Sequence, residues 1–365
     1  MRIGILTFHR AVNYGAALQA YSLLRYLSRQ CHDVVLIDYY PREDEKDYDI
    51  FRSMISLKNV LYNFLVFPYS IKIRRKKQRF FHFIQEYTVL TRRYYHYEEL
   101  CSETFDLDAV ITGSDQVFNP VSDDNIKTYY LAFVSDEVRR ISYAPSFGMN
   151  TFTDDLGTKI KPYLTKFHSI NCREQNGSDY IAKITETDCP VVIDPVFLTS
   201  QKDWNLFVGT ETTDDGYIFV YDLNGRDRLI SLANRLKEKT GLPIKCISTK
   251  KYFTKKYDVD ELILDAGPIE FIQSIAKANY VLTDSFHGMS FALIYRKKFI
   301  ACNALKHASG RLSSLLMLLK LQYRLVSLED YMNTDISVID TPMDYDELLN
   351  EYIDKSKGVL DKSLS

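Results

Sequence analysis

The stretch Thr283-Asp-Ser-Phe-His-Gly-Met-Ser-Phe291 sets an imidazole beside a glycine, directly after the apolar run Tyr280-Val-Leu-Thr283 and at the start of a helical pattern. If Ser285 caps that helix, the amides of Phe286, His287 and Gly288 fall in its first turn, among donors with no partner inside the helix. Such a turn attracts an anion, and a glycine removes the β-carbon that would hold a phosphate off. His287 is then placed to carry a proton, a role that typically contributes about 10²–10⁴ in rate. The competing reading is a hydrogen-bonded packing histidine, with Gly288 letting helix and strand approach closely. The position at the carboxyl end of a strand favours the ligand reading.

Three further loops hold polar residues in comparable places. In Phe8-His-Arg-Ala-Val-Asn-Tyr-Gly15, Asn13 and Gly15 sit where a sugar hydroxyl or a phosphate is met, or where a tight turn needs glycine. That loop lacks the GxGxxG of dinucleotide sites, which argues against a nicotinamide enzyme. In Thr112-Gly-Ser-Asp-Gln-Val-Phe-Asn119, Ser114, Asp115 and Gln116 suit the grasping of hydroxyls, and Asp115 can accept a proton; the alternative is a helix cap. In Ile170-Asn-Cys-Arg-Glu174, Arg173 offers a planar fork to a carboxylate or phosphate, or a surface salt bridge to Glu174 or another acid. Cys172 is not expected to be a nucleophile, because no histidine lies near it in sequence.

These loops need a scaffold, and the chain spells one out. A strand-like run at 3–8, a helical pattern at 16–30 and a second run at 33–38 make a βαβ opening. Residues 41–100 read as a helical insertion on that first domain. Strand signals return at 108–113, 140–144 and 190–194, and a polar stretch from Trp204 to Gly216 reads as an interdomain linker. A second alternation of strands and helices follows to about residue 320, so both halves predict parallel sheets. The expected division is 1–205 as a Rossmann-like acceptor-side domain and 206–330 as a Rossmann-like donor-side domain. Residues 331–365 are expected to bring a helix back onto the first domain. Two such α/β sheets, facing each other across a central cleft, would place every loop above at strand carboxyl ends, where open α/β sheets bind ligands.

Composition narrows the partners. With 46 basic and 48 acidic residues the formal charge is −2, so a general nucleic-acid binder is not indicated. The six cysteines are scattered without CxxC or zinc spacing, which points to reduced thiols in a cytoplasmic setting. The start MRIGILTFHR lacks a signal-peptide layout, and no apolar run reaches the roughly 20 residues of a membrane span. The basic run Lys72–Arg79 follows the apolar NVLYNFLVF. It reads either as a weak peripheral contact with the inner, anionic face of a membrane or as the solvated face of an insertion helix.

Taken together and in order, HRAVNYGAALQAY, ITGSDQVFNP, SYAPSFG, INCREQNGSDYI, VVIDPVFL, TDSFHGMSFAL and GRLSSLLMLLKL resemble the polysaccharide pyruvyl transferase family over nearly the whole chain. The resemblance implies a GT-B-like fold and transfer of the pyruvyl group of phosphoenolpyruvate onto two hydroxyls of a glycan or lipid-linked oligosaccharide, giving a pyruvate ketal. It implies His287 as the acid/base and Arg173 as a donor-binding residue. Members commonly carry Arg two residues before the motif histidine; Ser285 stands there, leaving Arg311 or Lys306 as candidate substitutes. In the implied scheme the Phe286–Gly288 amides hold anionic groups and Asp115 with Asn13 orients the acceptor. It needs no metal and no cofactor beyond the donor substrate. The alternatives are a nucleotide-sugar glycosyltransferase on the same architecture, disfavoured by the lack of an acid between Gly288 and Lys298, and a non-catalytic carbohydrate-binding homologue.

Overall fold

The alternation of short apolar runs with helical repeats forms two parallel sheets in the computed structural model, which describes residues 1–42, 49–149, 151–209, 216–224, 227–250, 257–303, 310–329 and 331–365. The chain divides into two units, one of Met1–Asp47, Ile84–Thr199 and Asp346–Ser365, the other of Tyr48–Phe83 and Ser200–Tyr345.

The first unit is built on β1 (Arg2–Leu6), β2 (Asp33–Tyr39), β3 (Leu90–Tyr94), β4 (Ala109–Thr112) and β5 (Arg139–Ser142), in the order β3-β2-β1-β4-β5. Helix α1 (Tyr14–Arg29) crosses from β1 to β2. All pairings are parallel, and the register sets Leu6 of β1 against Thr112 of β4, so the loops after these strands leave the sheet side by side. The central strands are mostly apolar, and largely buried beyond their first residues, because both sheet faces are covered. Leu6, Ile37, Val110, Phe118, Tyr130 and Phe147 share one core, and Phe118 stacks on Tyr130 at 4.4 Å between ring centroids. The C-terminal helix Asp346–Leu364 belongs to this unit, where Ser356 Oγ accepts the amide of Ile193 at 2.9 Å.

Two sequence expectations change here. The range 41–100, expected as a helical insertion, contains the edge strand β3, Leu-Thr-Arg-Arg-Tyr, whose charged middle gives no strand pattern because an edge faces water. Residues 190–194 were expected as a strand. They form only an isolated bridge, Cys172 to Val191, before the turn Pro195–Phe197.

The second unit carries helices α2 (Leu57–Val66) and, up to Phe83, α3 (Ser70–Tyr87), so the segment expected on the first domain groups with the second. Its sheet runs β11-β10-β9-β6-β7-β8, all parallel. The strands are β6 (Ile218–Asp222), β7 (Ile244–Ser248), β8 (Glu261–Ile263), β9 (Tyr280–Thr283), β10 (Lys298–Asn303) and β11 (Leu325–Ser327). Helix α4 (Phe286–Ile294) follows β9 after a two-residue turn. Ile218, Val220, Leu229, Leu282 and Ile300 form the core. The expected linker does not begin at Trp204, which is fully buried in the helix Gln201–Val208 and meets Phe291 edge-on at 5.1 Å; residues 210–215 lie outside the described residues.

Candidate functional site

In the second unit the turn from β9 to α4 is held from the neighbouring strand. Tyr221 of β6 lies opposite Thr283 of β9, so the loop after β6 runs beside Asp284. The Asp284 carboxylate accepts the amides of Leu223 (2.8 Å) and Asn224 (3.2 Å) and the side-chain amide of Asn224 (2.7 Å). Burial pushes its pKa up, those hydrogen bonds oppose the shift, and the nearby Asp222 charge adds to it; the net direction is upward. Asp222, fully buried, accepts the hydroxyl of Tyr257 and that of Ser248. The loops after β6, β7 and β9 are thereby tied into one polar cluster at the strand ends.

His287 stands in the first turn of α4, 7% exposed, with the Phe286 ring edge-on at 5.3 Å. Ser285 is the N-cap, as its position suggests: its Oγ accepts the amide of Gly288 at 3.3 Å, and its own amide donates to Thr283 Oγ1 at 3.0 Å. For Gly288 the structure shows the close helix–strand approach of the competing reading. A β-carbon there would lie 2.4 Å from Thr283 Oγ1 and 3.0 Å from Thr283 Cβ, so the glycine lets α4 press against the end of β9. Its amide serves the cap. Arg311 sits half-buried at the start of the helix Gly310–Leu318, and Lys306 lies outside the described residues.

In the first unit, Ser114 and Arg173 come together and Asp194 holds them. Arg173 Nη1 donates to Asp194 Oδ2 (2.7 Å) and to Ser114 Oγ (3.3 Å), and Nε donates to Glu174 Oε1 (3.3 Å). The guanidinium is buried, so the expected surface bridge to Glu174 is an interior one. Burial alone would lower its pKa; the charges of Glu174, Asp194 and Asp115 reverse that and raise it. Its fork is therefore engaged by two acids of its own chain. Ser114 Oγ also donates to Asp194 at 3.0 Å, and the Ser114 carbonyl accepts Thr7 Oγ1 at 2.7 Å, which ties the loop after β4 to the end of β1.

Asp115 caps the short turn Gln116–Phe118 through the amide of Gln116 at 2.8 Å. The Gln116 side chain lies over Gly148, where a β-carbon would meet its Oε1 at 2.6 Å and where φ is +67°. Asn13 is the N-cap of α1, its Oδ1 accepting the amides of Gly15 (2.9 Å) and Ala16 (3.4 Å), so the cap accounts for Asn13, while Gly15 sits in the first turn of the helix. Cys172 is buried with its thiol pushed well above the ordinary range by desolvation, in keeping with an inert role.

Sequence reading passed over a third cluster. His9 and Arg10, in the loop after β1, both reach Asp38 near the end of β2. Arg10 donates to it twice (2.8 and 2.7 Å), His9 Nε2 lies 3.1 Å away and Arg93 Nε 3.3 Å away. His9 Nδ1 faces the Thr7 carbonyl at 3.0 Å. Burial pushes the Asp38 carboxyl up, but the hydrogen bonds and charges of His9 and Arg10 outweigh it and hold the pKa far below the usual carboxylate range. The available signal was an acid inside an apolar strand run, Val-Val-Leu-Ile-Asp38, which must find a cation to be buried.

Solved structures with similar folds include UDP-GlcNAc 2-epimerases. That of Methanocaldococcus jannaschii, in complex with UDP-GlcNAc and UDP, is 11% identical, with a TM-score of 0.54 and 100% of each chain covered. That of Rickettsia bellii is 13% identical, with a TM-score of 0.53 over 99% of this chain and 95% of the other. That of Neisseria meningitidis, bound to UDP-GlcNAc, is 10% identical, with a TM-score of 0.52 over 100% and 99%. At such identities the likeness is one of fold, and it agrees with the expected GT-B-like class of two Rossmann-like domains. No curated protein matches the chain in sequence. The family model described as "Polysaccharide pyruvyl transferase" does match, over residues 13–304. That range runs from the cap of α1 to the end of β10 and takes in the Ser114, Arg173 and His287 loops alike, so the chain belongs to the polysaccharide pyruvyl transferase family.

Proposed function

We propose that the chain moves the pyruvyl group of phosphoenolpyruvate onto two hydroxyls of a polysaccharide or its precursor, forming a pyruvate ketal. The observation that carries this reading is the family match across the β9–α4 turn, where His287 occupies the first turn of a helix at a strand's carboxyl end. In the proposed reaction the methylene carbon of the donor takes a proton, which leaves an oxocarbenium-like centre at the neighbouring carbon. One glycan hydroxyl adds there, phosphate departs with the C–O electron pair, and the second hydroxyl closes the ketal. Of the two hydroxyl protons released, one replaces the proton spent on the methyl group and the other leaves on phosphate. His287 is the group assigned to deliver and recover that proton.

The buried carboxylate Asp284 acts as a positioning residue: it fixes the loop after β6 against the turn that carries His287. Asp115 is assigned to the acceptor hydroxyls. Arg173, engaged by Asp194 and Glu174, is assigned to holding the Ser114 loop in place, and Arg311 is the candidate donor counter-charge.

The test is release of inorganic phosphate from phosphoenolpyruvate in the presence of candidate glycans. His287→Ala should lower turnover by about 10²–10⁴, and the ketal methyl formed in heavy water should carry one deuterium. Undiminished turnover in the variant would remove His287 from the mechanism. A product with no deuterium would remove protonation of the donor.

A further inference from the structure

Residues 50–85 contain eight Lys and Arg and no Asp or Glu, so this segment carries +8 and the rest of the chain −10 against the total of −2. The same segment holds an apolar surface. Of the 17 large hydrophobic side chains exposed among the described residues, nine lie between Phe51 and Ile71. On α2 they follow helical spacing: Leu57, Leu61 and Phe64 line the outer face, at 89%, 60% and 76% exposure, while Tyr62, Asn63 and Val66 turn inward. Ordinary amphipathic helices put their apolar stripe on the core; here the exposed face is as apolar as the buried one. Phe67 and Ile71 continue the stripe into α3, where the exposed Lys72 and Arg74 begin the basic run.

This surface is fixed to its own unit. Asn63 holds the preceding loop through both backbone groups of Arg52 at 2.8 Å. Arg75 and Arg79 of α3 bond to Asp265 at 3.0 and 2.8 Å, and Phe83 packs on Phe207 at 5.6 Å. Among the described residues no helix is long and apolar enough to cross a membrane; α2, about 15 Å long, instead sets its apolar outer face beside the basic start of α3.

We propose that the outer face of α2 and the start of α3 form a peripheral docking surface for an anionic lipid bilayer. Leu57, Leu61, Phe64 and Phe67 enter the headgroup–acyl boundary, and Lys58, Lys72 and Arg74 meet the lipid phosphates. Charge selects this occupant. Two copies of the chain joined through this face would set like charges against each other, whereas an anionic membrane supplies both an apolar interior and the opposite sign. The inference goes beyond pyruvyl transfer and is tested without donor or glycan.

The experiment is co-sedimentation of the full chain with phosphatidylcholine vesicles and with the same vesicles containing phosphatidylglycerol. The chain should bind the second and leave the first in solution, and raised salt should release it. Lys72→Ala and Arg74→Ala should each weaken the partition about fivefold. Leu61→Asp with Phe64→Asp should abolish it at an unchanged melting temperature, because both side chains are exposed. Failure to bind anionic vesicles, equal binding to neutral ones, or full binding by the double variant would overturn the proposal. So would a solution dimer that Phe64→Asp breaks up, since the face would then belong to a second copy.

Discussion

Asp115 holds a backbone conformation, φ 83° and ψ −174°, that is otherwise almost confined to glycine. Its carbonyl accepts the amide of Ser146 at 2.8 Å and its carboxylate the amide of Gln116, so the surrounding loop enforces the strain. A strained residue of this kind costs about 1–3 kcal/mol. Asp115→Gly should therefore be more stable than Asp115→Ala by a similar margin of about 1–3 kcal/mol in urea unfolding, since only alanine keeps the misplaced β-carbon. Equal stabilities would show that the loop relaxes. The type and place of Asp115, Ser114 and Arg173 were legible in the sequence because each follows an apolar run. The pairings between distant residues were not: Asp194 lies 21 positions from Arg173, and in the cluster passed over Asp38 lies 28 from Arg10, separations that carry no periodic signal.

At the scale of elements, Gly288 shows how one motif serves packing and chemistry together. Alanine at a helix position ordinarily gains about 1 kcal/mol over glycine. Here its β-carbon would meet Thr283, whose Oγ1 both donates to the Tyr221 carbonyl and accepts the Ser285 amide. Gly288→Ala should therefore lower stability by about 1–3 kcal/mol despite the better propensity, and should disturb His287 on the same turn. A thermal melt checks the first effect and phosphate release the second; a higher melting temperature would show that α4 has room to shift. Strands with apolar runs and helices with inward stripes were readable in advance. The edge strand β3 and the short strands β8 and β11 were not, because strands of three to five residues with exposed positions lack a period to detect.

For the molecule as a whole, the buried ion cluster at Asp38 couples stability to acid. Its folded pKa lies below the unfolded value of about 3.9, so the stabilisation is fully present above pH ~4 and is lost as pH falls below it. Asp284, shifted upward, works in the opposite direction and gains from protonation. Asp38→Asn leaves Arg10 buried without its acid and should cost about 3–5 kcal/mol at neutral pH. The gap between wild type and variant in urea unfolding should close as pH drops below ~4. A gap independent of pH would mean that Asp38 acts by packing.

The sequence by itself determined the parallel α/β class, the loops that carry polar side chains and the motif order of a pyruvyl transferase, because hydrophobic period and local turn chemistry are properties of neighbouring residues. Only the tertiary structure decided that Arg173 is engaged by acids, that Gly288 faces a threonine and that the apolar stripe of α2 points outward. Burial, pairing and the direction of a face depend on residues far apart in the chain, and only folding brings those together.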